Sequence, residues 1–159
     1  MAATYTPIAS ITLGANVSSV TFSSIPQTYT DLVLVANLID SNGFSVMRFN
    51  SDSGNNYSRT WVYGNGSSAL SSRGSNIAGL DLKAASSGSE YPVDIVHLMN
   101  YSNTTTYKTC LIRQSYASNE VALYAGLWRN TSAISTITIS NDIRVGSTFN
   151  LYGILAGNA

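Results

Sequence analysis

The chain has 159 residues, of which 44% are hydrophobic and only 10% charged, and its eight acidic and eight basic side chains leave a net charge of zero. This length suits one domain with a core of its own, and the single cysteine excludes an intrachain disulfide. The lack of a basic excess argues against nucleic-acid binding and against recruitment to an anionic membrane.

The N-terminus has no targeting pattern. Met1–Pro7 lacks the basic and apolar regions of a secretory signal, and no apolar run approaches the roughly 20 residues of a membrane span. We therefore expect synthesis in a cytoplasm without membrane insertion. Residues 1–7 are predicted to form a flexible arm ahead of a single domain over 8–159.

Residue types that favour pleated sheets recur in short runs separated by turn signals, a pattern typical of a β-sandwich or barrel. We expect an all-β fold of about ten strands. Residues 64–76, rich in Gly, Ser and Asn, are predicted to be a flexible connector. The predicted strands are Ala9–Leu13, Val17–Phe22, Asp31–Ile39, Phe44–Phe49, Tyr57–Tyr63, Ile77–Leu82, Tyr91–Tyr101, Tyr107–Ala117, Val121–Trp128, a strand ending near Ser140, and Thr148–Leu155.

The run Asp31–Ile39 differs from the other strands because both of its faces are apolar. Such a strand is covered on both sides. In a sandwich of two layers, the second cover must be a loop or a neighbouring subunit.

Residues able to carry catalysis are few. His97 is the only histidine and lies within a predicted strand, which favours a sheet histidine bonded to a side chain of the next strand over a catalytic base. Cys110 lies among apolar residues and is predicted to be a buried small hydrophobe. Asp52 and Glu120 are the best acidic candidates for a glycosidase, but nothing in the sequence pairs them. We therefore predict no enzymatic activity, no cofactor and no metal.

The loop Asn50–Asn56 has several oxygen-bearing side chains, as a calcium loop does. It contains one carboxylate and lacks the closing bidentate glutamate of an EF-hand, so we favour an Asx-turn with Gly54 at a positive φ.

Tyrosine and tryptophan side chains beside neutral polar residues suit either core packing or recognition of a ligand. The best surface candidates for recognition are Tyr63, Asn65, Trp128 and Arg129.

Three phrases, Thr30–Val35, Arg48–Ser58 and Ser147–Ile154, together resemble a module of virion proteins from tailed bacteriophages of cyanobacteria and marine bacteria. The similarity spans roughly residues 20–155. It implies a two-sheet antiparallel β-sandwich that is jelly-roll-like. Such modules occur at the ends of tail fibres and as small head proteins.

Because no fibre shaft or collagen-like repeat precedes the module, the resemblance favours a capsid decoration (cement) protein. Its expected partners are the major capsid protein and further copies of itself in a homotrimer, on the capsid exterior after synthesis in the host cytoplasm. The alternatives are a receptor- or carbohydrate-binding module of a tail fibre or tailspike and, more weakly, a glycan-active enzyme. The predicted subunit interface consists of Leu32, Leu34, Val33, Val35, Leu123 and Leu127.

Overall fold

Residues 4–86, 92–116 and 120–155 are described by the structure, a computed structural model. These residues form strands and no helix, which confirms the all-β prediction. The strands are β1 (Tyr5–Thr12), β2 (Val17–Phe22), β3 (Asp31–Asn37), β4 (Phe44–Phe49), β5 (Tyr57–Gly64), β6 (Ala69–Ile77), β7 (Leu80–Lys83), β8 (Val93–Met99), β9 (Lys108–Tyr116), β10 (Glu120–Trp128), β11 (Ile137–Ile143) and β12 (Thr148–Ile154).

The strands pair in two antiparallel sheets. The large sheet has the order β1-β12-β3-β8-β9-β10-β5-β6 and the small sheet the order β2-β11-β4-β7. When the hairpins β5–β6 and β9–β10 are set aside, the first of the remaining eight strands pairs with the last, the second with the next to last, and so on inward. This nesting is the connectivity of a jelly roll. The expected jelly-roll-like sandwich is therefore found.

The two extra hairpins widen the large sheet on one side. β9 pairs with β8, β10 pairs with β9, and β5 joins β10 to β6. These four added strands have one face that points away from the small sheet and one that lies beside its edge strand β7.

The core lies between the two sheets and follows the period of two that a strand imposes on its side chains. In β3, Leu32, Leu34 and Ala36 are fully buried, and Phe149 and Leu151 on β12 are equally buried. The small sheet contributes the facing side chains, among them Val20, Phe22, Met47, Phe49, Leu80, Leu82, Ile137 and Ile139.

Part of the segment predicted to be a flexible arm, residues 1–7, lies in the large sheet. Tyr5, Thr6 and Pro7 belong to β1 and pair with residues of β12, so these three residues are part of the sheet. Residues 1–3 of the expected arm lie outside the described residues.

The predicted connector over 64–76 contains most of strand β6. Seven of the nine residues of β6 are exposed, so the strand has no alternation of apolar and polar side chains by which its sequence could be recognised. It forms because β5 offers it a complete row of backbone partners from Tyr57 to Gly64. Two predicted strand ends, Tyr91 and Ala117, lie outside the described residues.

Candidate functional site

The face of the large sheet that points away from the small sheet is apolar and exposed on the added strands. Val62 on β5 is 53% exposed, and Val121 and Leu123 on β10 are 63% and 42% exposed. Cross-strand register places Val62 opposite Leu123, and exposed Leu111 on β9 opposite Ala125. Together they line shallow grooves. We call Val62, Leu111, Val121 and Leu123 the outer apolar face; contiguous exposed patches of this kind mark interaction sites.

The predicted interface residues divide into two groups. Leu32 and Leu34 are fully buried between the two sheets of the same chain, so they are core residues and not surface residues. They were wrongly assigned because the sequence did not distinguish the inward face of Asp31–Ile39 from the outward one.

The other four predicted interface residues lie on the outward side of the large sheet. Val33 is only 6% exposed in the single chain, so it needs no neighbouring subunit to cover it. Val35 and Leu127 are half-buried, and Leu123 belongs to the outer apolar face. Their place in a subunit interface stays a prediction.

The inner face of the added strands carries half-buried aromatic side chains beside β7, the edge strand of the small sheet. The rings of Trp61 on β5 and Tyr124 on β10 are stacked, with centroids 5.4 Å apart and planes inclined by 10°. Tyr63 follows Trp61 on the same face of β5, opposite the small side chain of Ala122. We call Arg59, Trp61, Tyr63 and Tyr124 the aromatic ledge.

Two ion pairs connect the ledge region to β7. The guanidinium of Arg59 lies 4.9 Å from the centroid of Trp61 and forms an ion pair with Asp81. Lys83 Nζ lies 3.2 Å from Glu120 Oε1 and 5.0 Å from the ring centroid of Tyr116. Each cation is therefore balanced by a carboxylate.

The polar atoms of the ledge aromatics have no protein partner in the described part of the chain and are open to solvent. Among the described residues, none hydrogen-bonds to Trp61 Nε1 or to the hydroxyls of Tyr63 and Tyr124. The core aromatics differ, because Trp128 Nε1 donates to Asp52 and the Tyr57 hydroxyl accepts from the backbone N–H of Phe49. Burial raises the pKa of Tyr124 to about 12, so its hydroxyl stays protonated and can donate.

Of the four predicted recognition residues, only Tyr63 lies on this ledge. Trp128 is 1% exposed and packs in the core between Phe49 and Tyr57, so its assignment to the surface is wrong. It was missed as a core residue because it occupies the last position of a predicted strand and is followed by polar residues.

Arg129 and Asn65 have structural partners. Arg129 Nη2 donates to the Asn55 carbonyl oxygen at 2.8 Å and to Asn76 Oδ1 at 2.9 Å, which ties the loop after β4 to the end of β6. Asn65 is exposed, and its Oδ1 accepts from two backbone N–H groups, of Ser67 and Ser68, in the turn between β5 and β6.

The loop considered for calcium is organised by its own donors. Asp52 Oδ1 accepts from the Gly54 N–H at 2.9 Å, as in an Asx-turn, and Oδ2 accepts from Trp128 Nε1 at 2.7 Å. Burial tends to raise the pKa of Asp52, but hydrogen bonds from Trp128, Asn56 and Gly54 lower it below the usual range. The positive φ expected at Gly54 occurs instead at Asn50 and Ser51.

The remaining chemical candidates have structural roles. His97 Nε2 lies 2.9 Å from Asp31 Oδ2 on the neighbouring strand β3, which confirms the expected cross-strand partner. Cys110 is 3% exposed, and burial raises the pKa of its thiol to about 12, which confirms the expected buried hydrophobe. Within the described ranges, no group of three His, Cys, Asp or Glu side chains is arranged to hold a metal ion.

Asp52 and Glu120 cannot act as a glycosidase pair. Asp52 contacts Trp128 at one end of β10, and Glu120 is the residue at the other end. A strand of this length separates its ends by on the order of 25 Å, whereas such pairs need about 5 to 10 Å.

No membrane-spanning helix is present in the described part of the chain. Comparison of the chain with family models, with curated proteins and with solved structures gives no match.

Proposed function

We propose that this chain is a structural protein of a tailed-phage virion, a capsid decoration protein that binds the outer head surface and stabilises contacts between capsomers without catalysis. The observation on which this proposal rests is the outer apolar face. Its exposed side chains stand on neighbouring strands of one sheet, so the surface is rigid before it meets a partner.

The surroundings of that face suit a protein partner. Arg113 on β9 stands opposite Leu123, and Arg73 on β6 stands opposite Thr60; both arginines are exposed. A patch of apolar side chains that includes arginine has a composition that protein interfaces favour. The jelly-roll connectivity supports the proposal by analogy alone, because this fold occurs in viral capsid domains and also in lectins.

The self-association implied by the phage resemblance is part of the proposal. We propose a homotrimer in which Val35 and Leu127, both half-buried in the single chain, approach neighbouring copies, while Leu123 in the outer apolar face contacts the capsid. Native mass spectrometry tests it, since a trimer has three times the chain mass of 16.9 kDa. A protein that stays monomeric at micromolar concentration would contradict this part.

Cryo-electron microscopy of virions of the phage that encodes the chain tests the location. We expect density for this fold repeated over the head lattice, and density confined to the tail would overturn the decoration role.

A pair of variants tests the surface. Leu123→Glu places a charge in the outer apolar face, and we expect at least about tenfold weaker binding to capsids stripped of this protein. Val145→Glu is the matched control, because Val145 is also an exposed apolar residue but lies in the turn between β11 and β12. Equal losses in both variants would show that the outer apolar face is not the contact.

A further inference from the structure

We infer that the aromatic ledge, on the opposite side of the sheet from the outer apolar face, is a binding site for a neutral carbohydrate built of pyranose rings. The inference does not rest on the proposed virion role. It concerns a different surface, and its ligand is recognised by different chemistry.

The first argument is the arrangement of the three aromatic side chains on adjacent strands. Trp61 and Tyr124 are stacked on adjacent strands, and Tyr63 stands beside them on β5. All three are half-buried, and the Trp61 indole already contacts Tyr124 and the guanidinium of Arg59, so among the described residues Tyr63 is the ledge ring with no stacking partner. Pyranose rings have apolar C–H faces that pack on aromatic surface, and Tyr and Trp provide such surface at small entropic cost. Regular strands hold the three rings in place before a ligand arrives.

The second argument is the lack of protein hydrogen-bond partners for the polar atoms of these side chains in the described part of the chain. The indole N–H of Trp61 and the hydroxyls of Tyr63 and Tyr124 have no hydrogen-bond partner among the described residues. Sugar hydroxyls accept and donate at short range around an apolar ring face, so a pyranose satisfies these atoms while it covers the rings. Such a mixture of apolar surface with a few directed polar groups is usual in ligand sites.

The third argument is charge. Arg59 is paired with Asp81, and Lys83 is paired with Glu120. An anionic polymer would have to compete with these carboxylates for the cations, whereas a neutral sugar can hydrogen-bond to both members of a pair and leave it intact. The ligand class is therefore neutral.

The ledge is distinct from the aromatic core of this chain. This chain already has a structural aromatic cluster, formed by Phe49, Tyr57 and Trp128, in which every ring is no more than 1% exposed and the polar atoms are bonded. The ledge differs from that cluster in both exposure and hydrogen bonding.

Binding is tested with maltopentaose, cellopentaose, laminaripentaose and chitopentaose, and with a hyaluronan oligosaccharide as an anionic probe. Isothermal calorimetry gives the affinity. Tryptophan fluorescence reports the site, because Trp128 is buried and Trp61 is the only other tryptophan. We expect at least one neutral pentasaccharide to bind and to change the fluorescence. Binding of none of the four, or of hyaluronan alone, would overturn the inference.

Trp61→Ala is expected to weaken binding at least about tenfold. Tyr107→Ala is the matched control, because Tyr107 is an exposed aromatic residue that lies just before β9 and outside the ledge; it should leave the affinity unchanged. The double variant Tyr63→Phe with Tyr124→Phe keeps all ring packing and removes only the hydroxyls, so it folds like the parent and should lose affinity several-fold. Unchanged affinity in both ledge variants, or an equal loss in Tyr107→Ala, would overturn the inference.

Discussion

The indole nitrogen of Trp128 donates a 2.7 Å hydrogen bond to Oδ2 of Asp52, although the two residues are 76 positions apart in the chain. This contact joins the end of β10, in the widened part of the large sheet, to the loop that follows β4 of the small sheet. This contact helps to fix the conformation of the segment Arg48–Ser58. Asp52 shapes its own loop and caps the core tryptophan, while Tyr57 stacks on that tryptophan with ring centroids 6.2 Å apart.

Replacing Asp52 tests this role. Asp52→Asn removes the charge that accepts from Trp128, Gly54 and Asn56, and we expect the free energy of unfolding at pH 7 to fall by about 2 kcal/mol. Because the folded-state pKa of Asp52 lies below its ordinary value of 3.8, its stabilising effect is complete above that pH and is lost as the pH falls through the lowered pKa. Urea unfolding between pH 2 and pH 7 measures the effect. A variant as stable as the parent at pH 7 would contradict it.

Asp94 should have the opposite pH dependence. It is fully buried, and its Oδ2 has no hydrogen-bond partner among the described residues; burial raises its pKa well above the ordinary value of 3.8. The folded state therefore holds this proton to higher pH than the unfolded state, so its contribution is most favourable below 3.8 and declines as the pH rises toward the folded-state pKa. We expect Asp94→Asn to increase the free energy of unfolding at pH 7 by about 1 kcal/mol and to flatten its dependence on pH.

Asp142→Asn is the control for Asp94, because the side chain of Asp142 is 51% exposed. It should change the free energy of unfolding at pH 7 by less than about 0.5 kcal/mol. Parallel pH profiles for the parent and Asp94→Asn would show that Asp94 does not retain its proton.

Gly153, in the final phrase Ser147–Ile154, is required by close packing. A Cβ atom on Gly153 would lie 2.3 Å from Cγ of Tyr29, a ring atom near the backbone that cannot move aside easily. We expect Gly153→Ala to cost about 2 kcal/mol, measured as a lower thermal midpoint. Gly14→Ala is the matched control, since a Cβ atom there meets nothing within 4 Å. Similar midpoints for the two variants would argue against the packing explanation.

Cys110 should be unreactive while the chain is folded. Its sulfur is buried opposite Gly126, and burial raises the pKa of the thiol to about 12, so thiolate is scarce at pH 8. A thiol reagent such as DTNB is expected to label the protein only at the rate at which it unfolds, and fully in 6 M guanidinium. Fast labelling of the native protein at pH 8 would contradict the burial of this side chain.

The class of fold and most strands could be predicted from local patterns. The alternation of apolar and polar residues in Val17–Phe22 indicates a strand, because the side chains of a strand alternate between a buried and an exposed face. The apolar runs around Leu34 and Val96 likewise indicate strands. The single cysteine, Cys110, excludes an intrachain disulfide, and the low fraction of charged residues argues against a basic binding surface. Strand β6 escaped prediction because its pairing with β5, and not burial of its own side chains, holds it in the sheet.

Which face of a strand points inward, and which residues meet across the sheets, are properties of the tertiary structure alone. Leu32 and Leu34 are core residues, whereas Leu123 is a surface residue. The order and register of the strands decide to which side of the sheet each side chain points, and both depend on pairing with strands that are distant in the chain. The same long-range pairing buried Trp128 behind Asp52 and brought Trp61 beside Tyr124, residues 63 positions apart. Local pattern identifies the strands, and the contacts between distant strands decide which aromatic side chains form the core and which remain available to a ligand.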